Sequence, residues 1–160
     1  MTSNRQFMSG NIDGVIYRVL ECFRDHRGWV IELWRSDKSE PSINPAMFYV
    51  SHTNPQVLRG PHEHRFQTDC FAFIGPGLFR IYLWDNRKGS STYYHHIQFE
   101  FGEEKPGMII IPPGVVHAYR NISSTPGLVM NCPDALYAGQ SKQGPVDEIR
   151  WEEQESPFQV

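Results

Sequence analysis

The chain has 160 residues, of which 39% are hydrophobic and 21% are charged, a balance typical of one domain with one core. The formal net charge is -3 and the pI is about 6.1. Both values disfavour binding to nucleic acid or to a membrane surface, because these anionic partners attract proteins with a net positive charge. The sequence has no run of about 18 apolar residues, and its start, MTSNRQFMSGN, lacks the apolar segment of a signal peptide.

Three cysteines lie far apart along the chain, at Cys22, Cys70 and Cys132. Their number is odd, and their spacing fits neither a disulfide framework nor a metal-binding cluster. This pattern fits a reducing compartment, so we expect a cytoplasmic protein.

Short segments rich in β-branched and aromatic residues follow one another and are separated by Gly, Pro, Asn and Asp. Their alternation favours an all-β protein, an antiparallel sandwich or jelly roll. We expect a single domain over residues 1–160, with a core from about 15 to 151 and polar tails at both ends. The predicted strands are 15–23, 29–35, 46–53, 68–74, 78–85, 92–101, 108–111, 115–122 and 127–132.

Residues 59–65 read RGPHEHR, with two histidines one residue apart. In an extended strand, His62 and His64 point to the same face and Glu63 to the other. This run and the later PxGxxHxxxN pattern at 112–121 resemble the two motifs of the cupin jelly roll. The resemblance implies that His62, His64 and His117 converge inside the barrel. Thr68, however, stands where the metal-binding glutamate of the first motif belongs.

A second resemblance covers most of residues 15–151. The runs FRDHRGWVIE (23–32), VLRGPH (57–62), WDNRKGSSTYY (84–94), IPPGVVHAY (111–119) and EIRW (148–151) occur in the order of similar motifs in the dTDP-4-dehydrorhamnose 3,5-epimerase family. That family consists of cupins that need no metal, are usually dimeric and act on nucleotide-linked 4-keto sugars. The resemblance implies a homodimeric isomerase or epimerase for a dTDP-type 4-keto-6-deoxy sugar, in polysaccharide or deoxysugar biosynthesis.

The same resemblance implies roles for individual residues. His62 is the expected base, because an imidazole has a pKa near neutrality. Arg27 and Arg59 are expected to bind the diphosphate or the sugar, since guanidinium groups match phosphate oxygens. The other expected substrate-binding residues are Trp29, Glu32, His117 and Tyr137.

The chain departs from the epimerase pattern at three catalytic positions. Met130 aligns with the tyrosine acid and cannot donate a proton; Tyr137 is a possible substitute. The lysine that stabilises the enolate has no counterpart near residues 68–70, and the late aspartate that pairs with the base is missing. Asp69 or Asp134 could orient the base instead.

Three functions therefore remain open. In the favoured one, which needs no cofactor, His62 is the base and His64 assists. The run RGPHEH also resembles related 3,4-ketoisomerases, in which two histidines shuttle a proton. The second is a metal-dependent cupin, dioxygenase-like, that binds Fe, Ni or Zn through His62, His64 and His117. The third is an inactive cupin that only binds a sugar nucleotide.

Overall fold

The computed structural model describes residues 6–35, 37 and 43–160, and almost all regular structure within them is β-strand. Residues 1–5 of the expected N-terminal tail lie outside these ranges. Two short 3₁₀ turns occur at Gln140–Lys142 and Trp151–Glu153. In chain order the strands are β1 (Met8–Ser9), β2 (Ile16–Val19), β3 (Cys22–Asp25), β4 (Gly28–Ile31), β5 (Tyr49–Thr53), β6 (Leu58–Glu63), β7 (Asp69–Phe73), β8 (Leu78–Asp85), β9 (His95–Gly102), β10 (Gly107–Ile111), β11 (Val115–Asn121), β12 (Gly127–Asn131) and β13 (Ile149–Arg150).

The strands form two larger sheets and one hairpin. The first sheet has the order β1-β9-β8-β11-β6-β13, and the second has the order β2-β10-β7-β12-β5. Strands β3 and β4 form a separate antiparallel hairpin. Neighbours are antiparallel except β1 and β9. The predicted all-β sandwich of the jelly-roll type is thus confirmed, and no helix in the described ranges is long and apolar enough to cross a membrane.

The core lies between the two sheets because alternate residues of each strand point inward. Phe79, Ile81 and Leu83 of β8 are at most 2% exposed, as their alternation predicts. They belong to one cluster with Phe71 and Phe73 of β7 in the opposite sheet. The intervening residues of β7, such as Cys70, pack into a second cluster on the outer face of their sheet. Strand parity therefore decides which side chains can reach the interior.

Strand β6 carries His62, His64 follows directly after its end, and a bulge sets the register of β6 against β11. His62 pairs with His117 and Arg59 with Tyr119, so Gly60 and Pro61 together oppose a single residue. Gly60 has a φ of 87°, and a Cβ atom there would lie 2.7 Å from the carbonyl oxygen of His117. Only glycine fits this close approach, and the bulge aligns the two imidazoles on neighbouring strands.

The structure corrects the predicted boundaries at three places. The segments 15–23 and 29–35 are not two long strands, because β2 ends at Val19 and a hairpin occupies 22–31. Strand β6 was absent from the predicted set, since Gly60-Pro61 is a sequence that normally interrupts a strand. The core also extends beyond 15–151: Phe158 is 3% exposed and packs with Trp84 and Phe7.

A buried carboxylate fixes the loop that follows β8. Asp85 accepts hydrogen bonds from the guanidinium of Arg87 and from the hydroxyls of Ser90 and Thr92 at 2.6–2.8 Å. Burial alone would raise the pKa of the Asp85 carboxyl, but these partners outweigh it and lower the pKa to about 2. The charged form is therefore the stable one in the folded protein.

We expect the Asp85→Ala substitution to lower the free energy of unfolding by about 3 kcal/mol at pH 7, because it leaves several buried donors without their charged acceptor. The matched control is Glu100→Ala, which removes the half-exposed pair with Arg80 and should cost about 1 kcal/mol or less. Urea unfolding measures both. Because the pKa of Asp85 is lowered in the folded protein, the difference in free energy of unfolding between Asp85→Ala and wild type should shrink as the pH falls from 4 towards 2. Equal losses for both variants would contradict this account.

Candidate active site

A cavity of about 470 Å³ opens at one end of the sandwich, where β5, β6, β7 and β11 supply its walls. The volume lies in the usual range for small-molecule sites. Its wall contains three imidazoles, those of His62, His64 and His117, which the structure thus brings to one cavity. The other polar and charged residues that line it are Tyr49, Gln67, Asp69, Tyr137, Lys142, Asp147, Glu148 and Arg150.

His62 faces two carboxylates from the C-terminal segment. Its Nε2 lies 2.6 Å from Oε1 of Glu152, and its Nδ1 lies 3.8 Å from Oε1 of Glu148. A carboxylate at Nε2 favours the tautomer with the proton on that nitrogen, which leaves a lone pair on Nδ1. An imidazole held in this way is a suitable general base.

His64, Asp69 and His117 form a separate buried group, which we call the His64 triad. Oδ2 of Asp69 lies 3.1 Å from Nε2 of His64 and 3.4 Å from Nε2 of His117. These three atoms come from β6–β7 and β11, and they all lie within 4.8 Å of one another. The structure thus groups His64 and His117 with Asp69 and not with His62, which differs from the three-histidine set expected from the sequence.

The charges of the triad respond differently to burial. Burial opposes a charge on His64, but the hydrogen bond and charge of Asp69 outweigh it and raise the pKa of His64 to about 9. Burial would raise the pKa of Asp69, yet His64 and His117 lower it. His117 is buried, and this burial lowers its pKa to about 4 despite the nearby carboxylate.

Further hydrogen bonds hold each member of the triad. Nδ1 of His64 donates to the backbone carbonyl of Asp147, and Nδ1 of His117 donates to the carbonyl of Val115 at 3.2 Å. Oδ1 of Asp69 accepts from the amides of Gln67 at 2.9 Å and Asn131 at 2.8 Å. Both nitrogens of His64 are therefore engaged, and this imidazole has no free nitrogen to shuttle a proton.

The C-terminal residues 147–152 close the site against β6. The carboxylate of Asp147 accepts from the backbone N–H groups of residues 65–67 at 2.8–2.9 Å. Nε1 of Trp151 donates to the buried Glu63 at 2.8 Å, on the opposite face of β6 from the two histidines. These contacts position Glu148 and Glu152 beside His62. Asp134, one of the two expected orienting residues, instead accepts from the backbone N–H of Thr68.

Two tyrosines line the cavity, and Met130 does not. Met130 packs against the cluster on the outer face of its sheet, so its side chain points away from the triad. Tyr49 of β5 accepts from Nδ2 of Asn131 at 3.0 Å, and partial burial raises the pKa of Tyr49 to about 12. Tyr137 is half exposed and also lines the cavity, as its predicted role in substrate binding requires.

The four remaining predicted substrate contacts lie elsewhere in this chain. Arg27 and Trp29 belong to the β3–β4 hairpin, where Arg27 is 78% exposed and pairs with Asp25. Glu32 lines a different pocket beside Arg35. Arg59 donates to the hydroxyl of Thr53 and the carbonyl of His52. The structure does not bring these residues to the cavity wall, and their roles stay predictions.

Sequence reasoning missed the groups that depend on the C-terminal segment. Glu148 and Glu152 pair with His62, which lies 86 and 90 residues earlier in the chain, and no local spacing signals such a contact. The EIRW motif, which includes Glu148, was the one available sign that this segment matters. Lys142 and Arg150 were likewise missed as cations of the cavity wall.

A β-sandwich cavity with a carboxylate-paired imidazole in its wall fits a site for proton transfer on a small molecule. The family model described as dTDP-4-dehydrorhamnose 3,5-epimerase matches residues 9–157. The chain therefore belongs to the dTDP-4-dehydrorhamnose 3,5-epimerase family.

Two curated relatives support this assignment. The probable low-salt glycan biosynthesis epimerase Agl13 of Haloferax volcanii is 35% identical over 128 residues, which cover 79% of this chain and 81% of that protein. The spore coat polysaccharide biosynthesis protein SpsL of Bacillus subtilis is 34% identical over 116 residues, covering 72% of this chain and 75% of the relative. Among solved structures, the dTDP sugar isomerase of Desulfovibrio desulfuricans superposes with a TM-score of 0.78 at 26% identity, covering 92% of this chain and 88% of that one.

We expect the Asp147→Ala substitution to speed amide hydrogen exchange at residues 65–67. Hydrogen bonds to a charged acceptor contribute about 1.5–3 kcal/mol each, so exchange there should rise at least about tenfold, as NMR can measure. The matched control is Asp134→Ala, which should expose only the amide of Thr68. The N–H donors lower the pKa of Asp147, so in the wild type the protection should be lost as the pH falls below 4. Unchanged protection in Asp147→Ala would contradict the described contacts.

Proposed function

We propose that this protein is an epimerase that abstracts a proton next to the keto group of a nucleotide-linked 4-keto-6-deoxy sugar. The observation that carries the proposal is the pairing of His62 with Glu152 in the wall of a ligand-sized cavity. Membership of the epimerase family supports the substrate class. The names of Agl13 and SpsL support a place in glycan or polysaccharide biosynthesis.

The keto group acidifies the C–H bonds beside it. In the proposed reaction, Nδ1 of His62 takes the proton and the C–H electron pair moves into the sugar to form an enolate. Glu152 stabilises the imidazolium that results, because its carboxylate already lies 2.6 Å from Nε2. An acid on the other face of the ring then returns a proton to the same carbon, which inverts its configuration.

We assign the acid to Tyr49. Its strand β5 belongs to the second sheet, whereas His62 lies on β6 of the first, so the two side chains enter the cavity from different walls. The hydroxyl oxygen of Tyr49 accepts from Asn131, which leaves its own hydrogen available for donation. A pKa raised to about 12 keeps this hydroxyl protonated near neutral pH. Tyr137, at the exposed rim, is better suited to contact the substrate.

The fixed position of His64 supports epimerisation over 3,4-ketoisomerisation. A shuttle between neighbouring carbons needs two imidazoles that each exchange a proton with the sugar. Both nitrogens of His64 are engaged, by Asp69 and by the carbonyl of Asp147. His64 therefore assists by shaping the cavity wall beside the base, and the sugar proton passes through His62.

Lys142 and Arg150 are the lysine and arginine side chains that line the cavity among the described residues, and Arg150 also pairs with Glu148. We propose that they attract the diphosphate of the substrate. Arg27, Trp29, Glu32 and Arg59 remain predicted contacts to the nucleotide. Those in the hairpin would have to reach the cavity of another copy of the chain.

We further propose a homodimer, because the hairpin exposes Phe23, Trp29 and Val30, which are 42–68% exposed. Three free thiols support a cytoplasmic location. The proton transfers are assigned to side chains, so the proposal includes no organic cofactor. It also includes no nucleic-acid or membrane partner, since the net charge is -3.

Replacing the base should abolish most turnover. With dTDP-4-keto-6-deoxyglucose in deuterated water, we expect His62→Gln to slow deuterium entry into the sugar by about 100- to 10,000-fold, the usual contribution of a general base. Glu152→Gln should slow it at least about tenfold with little change in KM, because it acts on the imidazolium formed in the reaction. His52→Gln, an exposed histidine on β5, is the control. Wild-type exchange in His62→Gln would refute the assignment, whereas no exchange in the wild-type protein would favour a binding-only role.

The acid can be tested separately from the base. We expect Tyr49→Phe to retain entry of deuterium catalysed by His62 while inversion at the same carbon slows by about 100-fold. NMR distinguishes exchange with retention from exchange with inversion. Tyr137→Phe is the matched control and should mainly raise KM. Should Tyr137→Phe instead block inversion while Tyr49→Phe does not, the assignment of the acid to Tyr49 is wrong.

A further inference from the structure

We infer that Cys70 and Cys132 are an oxidative modification site, at which a reversible disulfide forms directly behind the cavity wall. The two cysteines lie far apart in the sequence, and the pairing of β7 with β12 brings them together. Asn131 pairs with Phe71, so the same register, continued by one residue, places Cys132 opposite Cys70. The backbone N–H of Cys132 donates to the carbonyl of Cys70 at 3.0 Å, which agrees with that register.

Both thiols lie on the outer face of their sheet. Side chains alternate along a strand, and Asp69 and Asn131 are hydrogen-bonded to each other on the inner face. Their neighbours Cys70 and Cys132 therefore face outward. Cys70 is 5% exposed in the cluster on that outer face, and the partly exposed Cys132 packs against the same cluster. A small oxidant thus reaches Cys132 first and finds the thiol of Cys70 directly across from it.

The spacing of opposed residues is close to the spacing that a disulfide requires. Side chains directly opposite each other on antiparallel strands have Cβ atoms about 4.5–5.5 Å apart. A disulfide holds its two Cβ atoms at about 3.5–4.5 Å. Formation of the bond between Cys70 and Cys132 therefore needs β7 and β12 to approach locally by about 1 Å.

The surroundings of the thiols make their oxidation slow and dependent on pH. Burial, and after it the charge of Cys132, raise the pKa of the Cys70 thiol to about 12, and burial also raises the pKa of Cys132. The thiolate is the reactive form, so little of either side chain reacts near neutral pH. The pair therefore stays reduced in a reducing compartment and responds to a sustained supply of oxidant.

The oxidation proceeds in two balanced steps with hydrogen peroxide as the oxidant. The thiolate sulfur of Cys132 attacks one oxygen of the peroxide, the O–O bond breaks, and a sulfenic acid and water form. The thiolate of Cys70 then attacks the sulfur of this sulfenic acid, the S–O bond breaks, and the oxygen leaves as a second water. In total the two thiols lose two electrons and two protons, and the peroxide is reduced to water.

The disulfide acts on the cavity through the residues next to each cysteine. Nδ2 of Asn131 donates to Oδ1 of Asp69 at 2.8 Å and to the hydroxyl of Tyr49 at 3.0 Å. Oδ1 of Asn131 accepts from the backbone N–H of Cys70 at 3.0 Å. A shift of these strands by about 1 Å therefore disturbs the contacts of the acid Tyr49, and such displacements can change rates about 100-fold. This effect on catalysis rests on the proposed function, whereas formation of the disulfide does not.

The test treats the full-length protein with hydrogen peroxide and maps the products by mass spectrometry. After alkylation of the remaining thiols in denaturant, we expect Cys22 to be alkylated and a peptide pair to be joined through Cys70 and Cys132. Dithiothreitol should reverse the change. The rate of formation should rise about tenfold per pH unit from about pH 7 to 9, as the thiolate fraction does. Cys22→Ser is the matched control and should form the same bond, whereas Cys132→Ser should form none.

NMR and turnover report the effect on the cavity. Oxidation of the wild type should shift the side-chain amide signals of Asn131 and slow inversion of the sugar carbon about 10- to 100-fold, with recovery on reduction. Cys132→Ser should retain inversion after the same treatment, which excludes damage by peroxide elsewhere.

Two results would overturn the inference. A map in which Cys70 and Cys132 are not joined would remove the modification site itself. A joined pair that leaves the Asn131 signals and inversion unchanged would remove its effect on the cavity. Failure of the proposed function would look different, because deuterium exchange would then be missing in the reduced protein although the disulfide still forms.

Discussion

The carboxylate of Asp69 lies almost entirely out of water, so its charge has to be balanced by the groups around it. Two imidazoles, one just after β6 and one on β11, approach one oxygen, and two side-chain amides donate to the other. This arrangement requires β6, β7, β11 and β12 to keep fixed registers across both sheets. The bulge at Gly60 is part of that constraint, since it aligns the two histidine-bearing strands.

The alternation of apolar and polar residues predicted much of the fold, because the fold is made of strands with one buried face. Alternation in 78–85 identifies the inward residues of β8, and the same parity argument places His62 and His64 together. Met130 aligns with the tyrosine acid of the family, but alignment alone does not show on which face of the strand a side chain lies. The neighbouring Asn131 points inward, and Met130 packs on the outer face. Strand β6 was not predicted because its sequence contains Gly60 and Pro61. These residues form a bulge, which can be recognised only from the pairing of β6 with β11.

The partners of the base could not be predicted, for a different physical reason. Glu148 and Glu152 reach His62 because β13 pairs with β6, and Trp151 is held by Glu63. Contacts between segments so far apart in the chain depend on the finished sandwich and leave no periodic signal. The sequence lacks the late aspartate that pairs with this histidine in the family. The structure shows that Glu152 lies beside His62 instead.

The order in which the chain is made gives the C-terminal segment a further significance. Strand β6 is followed by six more strands before residues 147–152 are made, so a nascent chain can form most of the strands of the sandwich while His62 still lacks its carboxylate partner. Proton abstraction by His62 would then begin only once residues 147–152 have docked against β6.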